Sequence, residues 1–229
     1  MLKIKTLLLI FALLIPTVTH ADCTSFPIEV FVNGIDPRFN LSYESAVQDL
    51  QNSIDNVNSS IGRYLIKQSS NGIPVTFEWN DTSAKAQAIG QIENALNKLQ
   101  EDINTLKYQV ATMTARNLPQ TEINAVINQL NQQINNYNED AAAISNFRAQ
   151  TTNEALGSFS RISTYAYIKV FGFDSKANLI HVLTHELGHV LGLDHNNGYV
   201  MDAHTNQYFE FSSLDSDKIR AEYDLVCKP

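Results

Sequence analysis

The sequence predicts an α+β fold with one core and a long inserted helical segment. Stretches with strand-like alternation and stretches with helical periodicity occur on both sides of this segment, before residue 83 and after residue 150. Between them the chain has almost no glycine, is rich in Asn and Gln, and carries apolar residues at alternating spacings of three and four. That spacing is typical of long helices that pair with each other. With 229 residues, 44% of them hydrophobic, the chain can form a core plus such an insertion.

Composition and charge exclude several classes of protein. The chain has 24 acidic and 16 basic residues, a formal net charge of -8. An acidic chain has no electrostatic attraction for a phosphate backbone, so we expect no nucleic-acid partner. Its 9 glycines and 6 prolines are too few for a collagen-like or Pro-rich disordered chain.

The first 21 residues resemble a secretory signal peptide. Lys3 and Lys5 make a basic start, Leu7 to Ile15 form an apolar run, and small residues lead to a cleavage site after Ala21. The apolar run is shorter than the roughly 18 residues that a spanning helix needs. We therefore predict a secreted protein, periplasmic or extracellular, with no membrane span in the mature chain; an uncleaved anchor is the alternative.

The two cysteines, Cys23 and Cys227, lie near the two ends of the mature chain. In an oxidising compartment a disulfide between them is expected. The alternatives are free or intermolecular thiols, or a lipidated Cys23, which Asp22 disfavours because a lipidation signal has a small residue at that position.

The elements before the insertion follow from local pattern. Residues 26–33 alternate like a half-buried strand. Ser42 is a good N-cap for a helix that continues to about Ser60, with apolar residues at helical spacing. Asn71-Gly72 is a turn signal, and Ile73 to Trp79 read as a second strand.

Residues 84–150 are predicted to form an inserted antiparallel coiled-coil hairpin, which leaves 22–83 and 151–229 as the main domain. Each half carries an a/d seam, and Asn117-Leu118-Pro119 separates the halves. Two helices of similar length around a short break can fold back on each other, and this hairpin would project roughly 45 Å. The alternative is two helices packed on the main core. The seam consists of Ile89, Ile92, Leu96, Leu99, Ile103, Leu106, Val110 and Met113, then Ile123, Ile127, Leu130, Ile134, Tyr137, Ala141 and Ile144.

Three elements are predicted after the insertion. Ile162 to Phe171 read as one strand, Ala177 to Leu191 as an amphipathic helix, and residues from Ser213 to Leu225 as a final helix.

The first of these two helices, and the residues directly after it, carry the chemistry. Residues 185–195 read His-Glu-Leu-Gly-His-Val-Leu-Gly-Leu-Asp-His. His185 and His189 lie one turn apart on one helix face, a spacing that suits two nitrogen ligands of one Zn²⁺. Gly192 can end the helix in a left-handed conformation, so that the chain turns back and His195 completes the site. Three protein ligands leave a fourth position for water, which is the arrangement of catalytic zinc.

Glu186 follows the first ligand and points beside the metal. It is placed to take a proton from the water and to pass it to a leaving amine, so the predicted reaction is peptide hydrolysis. The alternative for any one of these histidines is a structural role.

The segment resembles the metzincin metalloproteases, whose extended motif H-E-x-x-H-x-x-G-x-x-H is followed by a Met-turn. Residues 199–202 (Tyr-Val-Met-Asp) are similar to that turn, and in the family the equivalent of Met201 lies beneath the metal-binding histidines. The short spacing from His195 to Met201 is most similar to the matrixins. The resemblance implies a twisted mixed sheet, an active-site helix, a Met-turn and a C-terminal helix. It also implies that the 162–171 strand is the sheet edge that pairs with an extended substrate.

Several features depart from the family pattern. The segment that holds a second, structural zinc in animal matrixins is missing, so one catalytic zinc is expected and calcium stays open. No cysteine-switch propeptide is visible. The residues after the Met-turn, Asp202-Ala203-His204, replace a wall that often contains proline.

The resemblance also suggests substrate-pocket residues. The position of His181 lines the pocket for the residue after the scissile bond in matrixins, and His204 and Tyr208 are further wall candidates. The alternative for His181 is a partly buried histidine with a backbone partner.

The sequence therefore predicts a zinc endopeptidase that acts on a protein or peptide substrate. The alternative is an adhesion or interaction module in which the 84–150 hairpin binds a protein partner and the zinc site is residual. The intact Glu186 favours the enzyme, because a binding module does not need a general base. A third hypothesis combines the two: the hairpin docks the substrate or gates the cleft of an active protease.

Overall fold

The computed structural model describes residues 26–151, 155–163, 165–203 and 209–227, and the side chains of 147–151 are not part of that description. These residues form a mixed α+β fold, as predicted. The strands are β1 (Ile28–Ile35), β2 (Ile66–Gln68), β3 (Ile73–Phe77), β4 (Gly157–Ile162) and β5 (Tyr165–Val170). The α-helices are α1 (Tyr43–Ile61), α2 (Asp81–Ala115), α3 (Gln120–Thr151), α4 (Lys176–Val190) and α5 (Ser213–Val226).

The strands form one mixed sheet in the order β2-β1-β3-β5-β4. The first four strands of this order run parallel to their neighbours, and β4 pairs antiparallel with β5 at the edge. Helices α1 and α4 pack on each other and on one face of the sheet. Their fully buried side chains, such as Leu50 and Leu183, meet Val75 and Ile168 of the sheet. Burial of each such side chain stabilises the fold by about 1.5–3 kcal/mol.

The predicted single strand at Ile162–Phe171 is wrong in its extent and in its position. Its first residue ends β4, a turn follows in which Ser163 has a φ of 56°, and the rest is β5. Strand β5 lies between β3 and β4, so β4 and not β5 is the edge strand on this side of the sheet. The prediction missed β4 except for Ile162, because residues 157–161 contain only one large apolar side chain, Phe159, and show no apolar alternation.

Helices α2 and α3, here called the helical pair, are joined by residues 116–119 and pack mainly on each other. Every predicted seam residue is buried or half-buried, with Ile103 only 3% exposed. The residues between the seam positions are mostly exposed. At 1.5 Å per residue, the 35 residues of α2 extend over roughly 50 Å.

The first three turns of α2 contact the main body of the protein. Asn80 caps the helix and forms a capping box with Ser83, whose hydroxyl also donates to the Phe171 carbonyl. A Cβ on Gly90 would lie 2.2 Å from the Asp174 carbonyl oxygen, so the helix approaches this loop as closely as only glycine allows. The helical pair is therefore anchored to the loop between β5 and α4.

Two further expectations concern the ends of the chain. Cys227 is disulfide-bonded, and Cys23 is the only other cysteine of the chain. Cys23 and the predicted signal peptide (1–21) lie outside the described residues. Within the described ranges, no helix is both long enough and apolar enough to cross a membrane.

Candidate metal centre

Helix α4 presents two of the three predicted ligands. Ser175 caps its N-terminus by accepting a hydrogen bond from the Asn178 amide. At its C-terminus Gly192 adopts a φ of 82°, and the Leu193 amide donates back to the Gly188 carbonyl at 3.1 Å. This is the left-handed helix stop that the sequence predicted, and it turns the chain back toward the helix.

The three predicted histidines converge. The Nε2 atoms of His185 and His189 lie 3.1 Å apart, and the Nε2 of His195 lies 3.2 Å from each of them. Two nitrogens that bind one tetrahedral Zn²⁺ at about 2.0–2.1 Å are roughly 3.3–3.4 Å apart. The spacing of the triad therefore fits three ligands of one ion.

Hydrogen bonds from Nδ1 to backbone carbonyl oxygens orient two of the imidazoles. The Nδ1 of His185 lies 2.7 Å from the Val200 carbonyl oxygen, and the Nδ1 of His189 lies 2.8 Å from that of Leu193. Since a carbonyl only accepts, each Nδ1 carries the hydrogen and each Nε2 directs a lone pair at the centre.

The protonation state of His185 and His189 is also compatible with binding of a cation. Burial lowers the pKa of His185 to about 4 and lowers the pKa of His189 below its ordinary value. Both imidazoles are therefore neutral at physiological pH. Lone pairs that converge at this distance without a proton between them favour a metal ion.

The loop that carries His195 is held by side chains of α5. The amide of Asn196 donates to the Met201 carbonyl at 2.8 Å, and its side chain donates to the Asp215 carboxylate. Asp215 is buried and also accepts from Ser212 in the capping box of α5. Sequence reasoning missed Asn196 and Asp215; the Ser212-x-x-Asp215 pattern was visible, but it indicates only a helix start.

Met201 lies directly under helix α4. It is fully buried, and a Cβ on Gly188 would lie 2.3 Å from its Sδ and 3.0 Å from Cε1 of Phe211. The neighbouring Val200 supplies the carbonyl that orients His185. The turn of residues 199–202 thus supports helix α4 by packing and by a hydrogen bond.

Glu186 is the buried carboxyl group of the site, with 4% of its surface exposed. The Phe159 amide donates to this carboxyl, and its Oε2 is buried with no hydrogen-bond partner among the described residues. Burial raises the pKa of Glu186 to about 8 in the metal-free protein.

The site opens into a cleft of about 540 Å³. The three histidines, Glu186 and the first residues of β4 line it, together with the loop after α4. His181 also lines the cleft, but it is 2% exposed, and its ring centroid lies 6.1 Å from that of Phe209. His204 and Tyr208, the other predicted pocket residues, lie outside the described residues.

No protein-family model, curated protein or solved structure matches the chain.

Proposed function

We propose that this protein is a secreted zinc-dependent endopeptidase of the metzincin type that hydrolyses peptide bonds in a protein or peptide substrate. The observation that carries the proposal is the convergence of three imidazole nitrogens at 3.1–3.2 Å in a cleft that also contains a buried carboxyl group. A structural zinc site would have a fourth protein ligand, and no fourth His, Cys, Asp or Glu joins the triad among the described residues.

His185, His189 and His195 would hold the ion. Three imidazole nitrogens favour Zn²⁺ over Ca²⁺ and Mg²⁺, which prefer oxygen ligands. When bound, the ion supplies a Lewis acid that polarises a carbonyl group and lowers the pKa of an adjacent water.

Glu186 moves the proton in the proposed reaction. The positive charge of a bound ion would favour the ionised form of Glu186. Its unpartnered Oε2 then accepts a proton from the attacking water as the water oxygen bonds to the peptide carbon. The same oxygen then gives that proton to the amine nitrogen as the C–N bond breaks. The carboxylate is regenerated, and the products are a carboxylic acid and an amine.

Strand β4 is the element that we assign to substrate binding. It is the edge strand beside β5, and residues 157–159 line the cleft. Backbone groups on its outer side can pair with an extended peptide by strand addition. His181 is assigned to the floor of the side-chain pocket, which would favour a substrate residue with a polar end.

The helical pair supports a second candidate function, an interaction module in which the antiparallel coiled coil binds a protein partner. Its exposed polar faces run along two helices of 35 and 32 residues. Glu186 argues against this as the sole function, since a buried carboxyl without a partner on one oxygen destabilises the fold and does not help a binding protein.

Digestion of casein by the purified mature protein tests the proposal. We expect cleavage with one equivalent of Zn²⁺, none after treatment with a chelator, and recovery when zinc is added back. Glu186→Gln should bind zinc with the same stoichiometry and leave casein intact. Zinc-loaded wild-type protein that cleaves neither casein nor a library of unstructured peptides would refute the enzyme and leave the interaction module.

A further inference from the structure

The first residue of β4 lies directly on the carboxyl group of Glu186. A Cβ built on Gly157 would be 2.6 Å from Glu186 Oε1 and 3.0 Å from its Cγ. It would also be 3.0 Å from Cγ1 of Val182, one turn earlier on α4. Any residue other than glycine at this position would displace the carboxyl group, the strand or both.

A second contact from the same strand fixes the carboxyl group. The Phe159 amide, two residues along β4, donates a hydrogen bond to it. Because Oε2 has no partner among the described residues, this bond is made to Oε1. One carboxyl oxygen is therefore anchored beneath the strand, and the other is buried without a hydrogen-bond partner among the described residues.

Strand β4 is itself held firmly at this point. Gly157 pairs with Val170 and Phe159 with Ile168 in the antiparallel ladder. The carbonyl of Leu156 accepts hydrogen bonds from the Phe171 amide at 2.7 Å and from the Gly172 amide at 3.2 Å. The strand is thus a rigid surface against which a side chain of α4 can be oriented.

We infer that Gly157 is a positioning residue for the reaction: with the Phe159 amide it forms a seat that directs Oε2 of Glu186 toward the attacking water. This inference rests on the proposed endopeptidase function. The glycine is needed because the carboxyl group lies where its side chain would be. The seat belongs to the same strand that we assign to substrate binding. Strand β4 would therefore position both the general base and the substrate.

The contacts predict a separable effect of a methyl group at this position. The Nδ1 partners of the ligand histidines, Val200 and Leu193, lie outside β4, so zinc binding should not depend on Gly157. A displacement of a catalytic group by about 1 Å can lower the rate about 100-fold. Gly157→Ala should therefore lower kcat about 100-fold, with KM changed less than about twofold and one zinc ion still bound.

Two further variants isolate the seat. Gly90→Ala is the matched control, because its Cβ would also be crowded, at 2.2 Å from the Asp174 carbonyl oxygen, but on α2 and without contact to Glu186. We expect its kcat within about threefold of wild type, as for a site that is not coupled to the chemistry. Gly157→Ala combined with Glu186→Asp shortens the carboxyl side chain and should relieve the overlap. The double variant should have a kcat within about threefold of Glu186→Asp alone, so that the two effects are strongly non-additive.

The experiment measures casein-peptide cleavage, zinc content by atomic absorption and the melting temperature of all variants, and it includes crystal structures of the zinc-loaded wild-type and Gly157→Ala proteins. Loss of the Glu186–Phe159 hydrogen bond in the Gly157→Ala crystal, with the ligand histidines unmoved, supports the seat. An unmoved carboxyl group, wild-type kcat or additive effects would overturn it. If Gly157→Ala alone does not fold, recovery of folding in the double variant supports the seat, and failure to recover overturns it. If the wild type cleaves nothing, the proposed function fails, and the crystal structures still decide the geometry.

Discussion

Replacement of Glu186 by Gln should stabilise the metal-free protein while it removes the proposed activity. The pKa of Glu186 is raised from 4.5 to about 8 in the folded state because the carboxyl group is buried. Above pH 4.5 the unfolded chain releases this proton and the folded chain retains it. The folded state therefore loses stability as the pH rises from about 4.5 to about 8, and full stability is present only below that window.

The magnitude follows from the shift. At pH 7, about 2.5 units above the pKa of 4.5, ionisation of this carboxyl group stabilises the unfolded chain relative to the folded chain. The difference is about 3 kcal/mol at 1.36 kcal/mol per unit. A glutamine is neutral at every pH and avoids this loss, but its amide hydrogens have to be desolvated at a cost of about 1 kcal/mol. We expect Glu186→Gln to raise the free energy of unfolding by about 2 kcal/mol at pH 7.

Urea unfolding in the presence of a chelator, at pH 4 and at pH 7, measures this gain. It should be absent or slightly negative at pH 4, where wild-type Glu186 is protonated in both states. Glu222→Gln, at an exposed position of α5, is the matched control and should change little at either pH. An equal gain at both values, or no gain at pH 7, would contradict the assignment of Glu186 as a buried carboxyl with a raised pKa.

Three other perturbations test other parts of the site. Gly188→Ala places a methyl group 2.3 Å from Met201 Sδ and should destabilise the protein by about 1–3 kcal/mol, measured by urea unfolding. Asp215→Ala removes the acceptor of the Asn196 side chain and should weaken zinc binding about 10- to 100-fold through the loop of His195, measured by competition with a chelator. Replacement of residues 94–140 by a short linker should preserve cleavage of a short peptide within about threefold, because the cleft residues lie elsewhere and the effects should be independent.

A control variant or a contradicting result is defined for each of these three perturbations. Gly34→Ala, whose Cβ would have its nearest neighbour at 4.0 Å, should leave stability nearly unchanged. Asp217→Ala, an exposed neighbour of Asp215, should leave zinc affinity unchanged. If the shortened protein folds and binds zinc but does not cleave the peptide, the helical pair takes part in the chemistry itself.

The convergence of the three histidines could be predicted from sequence because its geometry is local. Helical periodicity places His185 and His189 on one face, and Gly192 ends the helix where the third histidine requires it. All three determinants lie within eleven residues, and the structure brings the histidines together as the spacing predicts.

The contacts that hold Glu186 and the loop of His195 in place could not be predicted in the same way. The contact between Gly157 and Glu186 depends on the register of β4 against β5, and the contact between Asn196 and Asp215 depends on how α5 packs. Neither has a local pattern. Strand β4 was also missed, because it is defined by its pairing with β5 and its own residues carry no apolar alternation.

The anchoring of the helical pair bears on the order in which the protein folds. Phe77 and Val170 are paired in the sheet but are 93 positions apart in the chain. Phe171 accepts a hydrogen bond from Ser83 in the first turn of α2 and donates one to Leu156, which follows α3 in the chain. If the helical pair forms first, the flexible chain between Phe77 and Val170 is shortened to roughly 20 residues. The entropic cost of bringing these two residues together then falls by about 1 kcal/mol. The long insertion should thus assemble first and speed the pairing of the strands that it separates.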